Sequence, residues 1–244
     1  MFLSPKYIQN TLNMFFSRQL SIRRNATAIE DILAEKYGPP LILPIPDDQD
    51  PGLPRVVFSS KSGFSQIVIS QISVALAVQY SEDFQLDSSK GEKYIVERYP
   101  LLIDIINFLK VQRLFTGFST QVNIPIHAND KEIVSFLSQR YISYFDTSDL
   151  YDYQFRITKV REDKYFSNLI ITNYRSWTLE DVPHLLTRIP LDKVTERGIQ
   201  IIADYNDRYI YNEQDDYTST DEPALLVANG LKEMHQQIEY IRGE

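Results

Sequence analysis

RQLSIRRNATAIEDILAEKY, residues Arg18 to Tyr37, aligns without gaps on VNIPIHANDKEIVSFLSQRY, residues Val122 to Tyr141. Leu20 falls on Ile124, Ile22 on Ile126, Asn25 on Asn129, Ile29 on Ile133 and Ile32 on Phe136. Leu33 falls on Leu137, Lys36 on Arg140 and Tyr37 on Tyr141. Before the Asn the apolar positions alternate by two, the period of a half-buried strand. After it they recur at helical spacing. The reading is a strand, a helix cap and a helix, used twice.

The first copy predicts a strand over Phe15 to Arg23 and a helix over Ala28 to Lys36. Thr27 and Glu30 have the spacing of a capping box, and Gly38-Pro39-Pro40 ends the helix. The second copy predicts a long strand from Val111, alternating through Leu114, Thr116, Phe118, Thr120, Val122, Ile124 and Ile126. Asn129 then caps a helix, with Glu132 placed to reach back to it.

Each copy leads to a hairpin. The first is Arg55 to Ser60, a turn at Lys61-Ser62-Gly63, and a strand from Phe64 to Tyr80. From Val68 to Tyr80 the even positions are apolar apart from Ser70, and the odd ones are largely small or polar. That pattern predicts an antiparallel sheet buried on one side. Its open face is small enough in profile for a second sheet or another subunit to approach. The second hairpin is Tyr153 to Arg161 and Lys164 to Ser176, turning at Glu162-Asp163.

The connectors differ. Six of the 12 prolines lie between Pro39 and Pro54, which predicts an extended surface segment with Leu41, Ile42, Leu43 and Ile45 tucked against the body. A helix over about Glu92 to Lys110 either kinks or begins at Pro100, and its second half is apolar nearly all round. Beyond the second hairpin come a short helix over Glu180 to Thr187, a strand over Ile199 to Tyr211, an acidic loop and a last helix over Ala224 to Ile241. Gly230 in that helix marks a close contact. The fold class is therefore α+β: antiparallel sheet built from two related strand–helix–hairpin units, with a central and a C-terminal helix. It reads as one domain over 1–244, in halves of about 10–111 and 112–244.

Composition narrows function mainly by exclusion. The 244 residues carry 25 Lys and Arg against 33 Asp and Glu, a net charge of −8. A body this acidic repels phosphate backbones unless its bases cluster. The only cluster is Arg18, Arg23 and Arg24, which offers a nucleic-acid reading that the overall charge opposes. There is no cysteine, so disulfides and thiolate chemistry are excluded. No apolar run approaches membrane-helix length, and the opening residues lack a secretion signal, so the expected compartment is the cytoplasm, with no membrane partner.

Catalytic patterns are absent. The histidines are His127, His184 and His235, none in a recognised motif, and no Gly-x-Ser-x-Gly turn occurs. The eight glycines are scattered, so no phosphate-cradling loop and no nucleotide cofactor is implied. Asp204, Asn206 and Asp207, with the acidic residues after them, form the one candidate metal site, because alternate strand residues share a face and oxygen ligands suit hard cations. That would support a carboxylate-based hydrolase or nuclease-like enzyme. Tyr144, Tyr151 and Tyr153 crowd a stretch whose neighbours are Asp146, Asp149 and Asp152, which favours a protein interface over base stacking. The leading reading is a non-enzymatic module that binds another protein or itself.

Three stretches carry a resemblance: Pro54 to Ser60 leading into Ile67 to Tyr80, Arg113 to Phe118 with Val122-Asn123-Ile124, and Ile201 to Asn206. In these the chain resembles a sporadically distributed family of bacterial proteins of unknown function. The resemblance implies a similar order of elements and transfers no catalytic residue.

Overall fold

The computed structural model describes residues 2–141, 149–178 and 191–243. Alternating burial along β1 (Lys6–Phe16) sets its architecture: Leu12, Met14 and Phe16 are inside, while Thr11, Asn13 and Phe15 between them are half-buried. The same period runs through β6 (Arg113–Pro125), where Phe118, Val122 and Ile124 are inside. These two strands pair antiparallel at the middle of the sheet, with Leu12 opposite Phe118.

From β1 the chain passes through α1 (Ala26–Leu33) to the sheet's edge at β2 (Tyr37–Ile42). It then returns inward through β3 (Pro54–Ser60), β4 (Ser65–Ser70) and β5 (Ser73–Gln79), which pairs with β1. Two helices follow, α2 (Ser88–Val96) and α3 (Tyr99–Leu109). From β6 the chain passes through α4 (Asp130–Tyr141) to the other edge at β7 (Gln154–Arg161). It returns through β8 (Tyr165–Ser176) and β9 (Glu196–Asn206), which pairs with β6. The result is one nine-stranded antiparallel sheet, ordered β2-β3-β4-β5-β1-β6-β9-β8-β7. A short α5 (Arg208–Glu213) and a long α6 (Pro223–Arg242) complete the described chain.

Most helices gather on the sheet's apolar face. α6 packs on β6 and β9, α4 on β8 and β9, α2 on β1 and β5, and α3 on β5, with α1 against β2 and α3. α6 lays Val227, Leu231, Met234 and Ile238 inward, and Gly230 lets it approach closely, since a Cβ there would lie 2.6 Å from the Phe118 ring. Each fully buried aliphatic side chain contributes about 1.5–3 kcal/mol by leaving water. Among the described residues no helix is long and apolar enough to cross a membrane.

Several local expectations hold. Asn129 Oδ1 accepts from the Glu132 amide at 3.0 Å and Glu132 Oε2 accepts from the Asn129 amide at 2.9 Å, a complete capping box. Pro100 lies in the first turn of α3, so the apolar helix begins there. Glu162 and Asp163 turn the second hairpin with φ of 55° and 50°, the left-handed pair that a two-residue turn needs.

Others are corrected. The first strand is Lys6–Phe16, not Phe15 to Arg23, and Ser21 and Ile22 sit in a turn whose carbonyls accept from the Asn25 amide. Asn10 disguises that strand: it is polar yet fully buried, because its amide donates to Tyr80 Oη. Thr27 is not a cap; α1 starts at Ala26 with no side-chain cap bond. The predicted strand from Phe64 to Tyr80 is two strands. Ser70 Oγ accepts from the Ile72 amide at 3.1 Å and bonds Ser73 Oγ at 2.8 Å, folding the chain back on itself. Buried positions accordingly switch from odd, Ile67 and Ile69, to even, Val74, Leu76 and Val78. The late strand stops at Asn206 rather than Tyr211, since Asn206 Oδ1 accepts from the Arg208 amide at 3.2 Å and turns the chain into α5. Leu41 and Ile42 are not tucked away but 61% and 49% exposed, on an edge strand. The short helix expected over Glu180 to Thr187 lies outside the described residues.

Candidate functional site

Among the described residues no long helix packs on the sheet's second face. Its outward side chains lie in rows set by register. Gln79, Gln9 and Gln121 are neighbours across β5, β1 and β6. Further along the strands Asn123 and Gln200 face each other across β6 and β9, with the Gln200 amide donating to Asn123 Oδ1 at 3.2 Å. Small residues fill the spaces between: Ala75 and Ala77 on β5, Thr11 on β1, Ser119 on β6. Over Ser73–Gln79, Gln9–Phe15, Phe115–Asn123 and Gln200–Asn206, Asp204 is the one outward-facing charged side chain.

The opposite end of this face is walled by α5. Phe15 and Phe115 stack at 4.2 Å, Tyr211 of α5 packs on Phe115, and Tyr209 meets Phe166 edge-on. Between α5 and the sheet lies a cleft of about 440 Å³. Asp204 is at its floor, opposite Ser119 on β6 and Asn168 on β8. Gly117 beside it keeps the floor open, since a Cβ there would come within 3.1 Å of Asn206.

A polar relay crosses the three last strands. Thr158 Oγ1 donates to Asn168 Oδ1 at 2.7 Å, and Asn168 Nδ2 donates to Asp204 Oδ1 at 2.8 Å. Asn206 Nδ2 donates to the same oxygen. Oδ1 is therefore doubly engaged, while Oδ2 takes no hydrogen bond from the described residues. Burial raises the Asp204 pKa above its ordinary value, against the opposing pull of the two amides and the more distant Arg156. The cleft is also lined by Asn13, Asn212, Arg156 and Arg208.

Of the residues singled out from sequence, Asp204 and Asn206 share this cleft and Asp207 does not. The Asp207 carboxylate is fully buried; it accepts from the Thr116 amide at 2.6 Å, from Tyr217 Oη at 2.8 Å and from Ser219 Oγ. It ties β9 to the loop before α6. Among the described residues no three His, Asp or Glu side chains form a metal-holding group. Tyr153 is 5% exposed and belongs to the core, whereas Tyr151 is 55% exposed beneath the Arg175 guanidinium. Tyr144 and His184 lie outside the described residues. Arg18 and Arg23 are engaged by the proline-rich connector: Arg18, itself exposed, donates to the Asp47 carbonyl and to Gln71 Oε1 at 3.0 Å, and Arg23 donates to the Ile45 carbonyl at 2.6 Å and to Asp47. Arg24 beside them is exposed.

Sequence reasoning found Asp204 but missed its setting. Arg156, Asn168 and Asn13 lie 36 to 191 residues away from it along the chain and meet it only through strand register. No protein-family model matches this chain, and no curated protein matches it.

Proposed function

We propose that this protein is a non-enzymatic, self-associating module whose open sheet face receives a second copy of itself. The observation that carries this reading is the depletion of charge over the middle of that face, on Ser73–Gln79, Gln9–Phe15, Phe115–Asn123 and Gln200–Asn206, in a chain that is 24% charged. Solvated sheet faces are ordinarily studded with Lys and Glu, and charge depletion marks the core of an interface. The occupant follows from the chemistry of the rows. A carboxamide holds both a donor and an acceptor, so a surface of Gln9, Gln79, Gln121, Asn123 and Gln200 is complementary to itself. Over those strand ranges a strongly charged partner would find one counter-charge, Asp204, and a nucleic acid no cation; at the rim Lys6, opposite Asn123, is already paired with Glu196.

Two-fold packing also suits a fold that runs outward from the central pair β1–β6 and returns from each edge. In our reading the halves are related units, α1 and α4 beginning at positions that match in the Arg18–Tyr37 and Val122–Tyr141 alignment. The resemblance to a sporadic bacterial family is part of the same proposal and adds no activity.

Sedimentation equilibrium tests it. The expected result is a dimer at micromolar concentration that Gln121→Lys or Ala77→Lys converts to monomer with unchanged circular dichroism. A monomer at all concentrations, or a dimer indifferent to both substitutions, overturns the reading.

A further inference from the structure

We propose that the cleft beside α5 binds a small zwitterion, an α-amino acid with an apolar or aromatic side chain, its ammonium on Asp204 and its carboxylate on Arg156 and Arg208. Unused hydrogen-bonding capacity converges there. Asp204 lines the cleft; among the described residues nothing donates to its Oδ2, while Oδ1 is held by Asn168 and Asn206. The guanidinium of Arg156 makes no hydrogen bond or ion pair with the described residues. That of Arg208 lies over the Phe115 ring, 5.6 Å from its centre, and is otherwise free among them. The amides of Asn13 and Asn212 are likewise unengaged within the described chain. Most other cations spend their charge internally, as Arg175 does on Asp130 and Asp152.

The ligand class follows from which atoms are free. A planar edge with two parallel N–H donors needs both carboxylate oxygens, and Oδ1 is already saturated. A single free oxygen suits a point donor of positive charge, an ammonium. Two exposed guanidinium groups, with no carboxylate other than Asp204 lining the cleft among the described residues, suit an anion, and a planar carboxylate matches their forked donors. Phe15, Phe115 and Phe166 supply apolar contact for a side chain. A cleft of about 440 Å³ lies within the range of small-molecule sites. The site occupies the α5 end of the strands, away from the glutamine row, so ligand binding and self-association are separate properties.

Calorimetry on the full chain at neutral pH tests this, with each common L-amino acid as probe. L-Phenylalanine is the leading ligand, and phenethylamine and 3-phenylpropionate are its single-charge controls. The expected result is saturable binding of an apolar or aromatic amino acid, weakened about tenfold or more when either charge is missing. Asp204→Asn should remove the amino-acid and phenethylamine heats but spare 3-phenylpropionate. Arg156→Gln should weaken 3-phenylpropionate and spare phenethylamine. No binding by any amino acid, or binding that Asp204→Asn leaves intact, overturns the proposal. The oligomeric state of each variant, measured alongside, separates this failure from that of the self-association reading.

Discussion

Asn168 and Asp204 sit opposite each other on β8 and β9, and the Asn168 amide donates to Asp204 Oδ1 at 2.8 Å. The bond holds a carboxylate in place where burial disfavours its charge. The folded state binds the Asp204 proton more tightly than the unfolded chain does, because its pKa is raised above 3.8. The stabilisation from that proton is present below 3.8 and lost as pH rises through the folded value. At neutral pH the ionised side chain is a net cost. Asp204→Asn, which keeps an acceptor for both amides, should therefore melt at or above the parent temperature at neutral pH. Thermal melts across acid pH should show the difference shrinking as pH falls.

Asp221 responds in the opposite sense. Burial pushes its pKa up, but the Lys164 ammonium at 2.6 Å and the Tyr165 hydroxyl at 2.7 Å outweigh that and hold it below 3.8. Its contribution is present above 3.8 and lost as pH falls through the lower folded value. Asp221→Asn should cost about 1 kcal/mol at neutral pH, read by urea denaturation, and nothing once the parent's own carboxyl is protonated.

Asp207 is a buried acceptor for three donors, the Thr116 amide and the hydroxyls of Tyr217 and Ser219. Asp207→Ala orphans all three, at a cost of about 3 kcal/mol or more. Chemical denaturation should show that loss, whereas the exposed neighbour Arg208→Ala should stay within about 0.5 kcal/mol of the parent.

Gly91 lies in α2, where alanine is ordinarily favoured by about 1 kcal/mol. A Cβ at this position would fall 1.5 Å from Tyr80 Oη. Overpacking reverses the preference, so Gly91→Ala should destabilise by about 1–3 kcal/mol. A gain in melting temperature would contradict this packing.

The edge strand β2 exposes Leu41 and Ile42, and Pro39 and Pro40 deny it two backbone donors. An unpaired edge templates pairing with other chains, and proline blunts it. Replacing both prolines with valine should raise the aggregation rate on mild heating, followed by light scattering, with little change in the far-ultraviolet spectrum.

Legibility in the sequence followed the range of the interactions. The Asn129–Glu132 cap, the Glu162-Asp163 turn and the Pro100 helix start are set by residues within a few positions, and each was readable. The β4–β5 reversal was not, because its turn is closed by serine hydroxyls where glycine or proline would have signalled it. Lys6–Phe16 was hidden because Asn10 looks solvated until Tyr80, 70 residues on, supplies its partner. At the cleft Asp204 and Asn206 were visible as alternate strand residues. The arginines, the second amide and the aromatic wall come from β1, β6, β7, β8 and α5, and only register brings them together.

The placement of β1 between β5 and β6 bears on the order in which the molecule can be made. Every strand on the β5 side of β1 is encoded before residue 80, so the emerging chain can pair β2-β3-β4-β5-β1 while its second half is still being synthesised. That early product ends in the bare flank of β1, whose proper neighbour is Arg113–Pro125. Until that segment leaves the ribosome the nascent protein carries an unzipped seam at what becomes its centre. The pace of translation through the α2–α3 stretch sets how long the seam stays open.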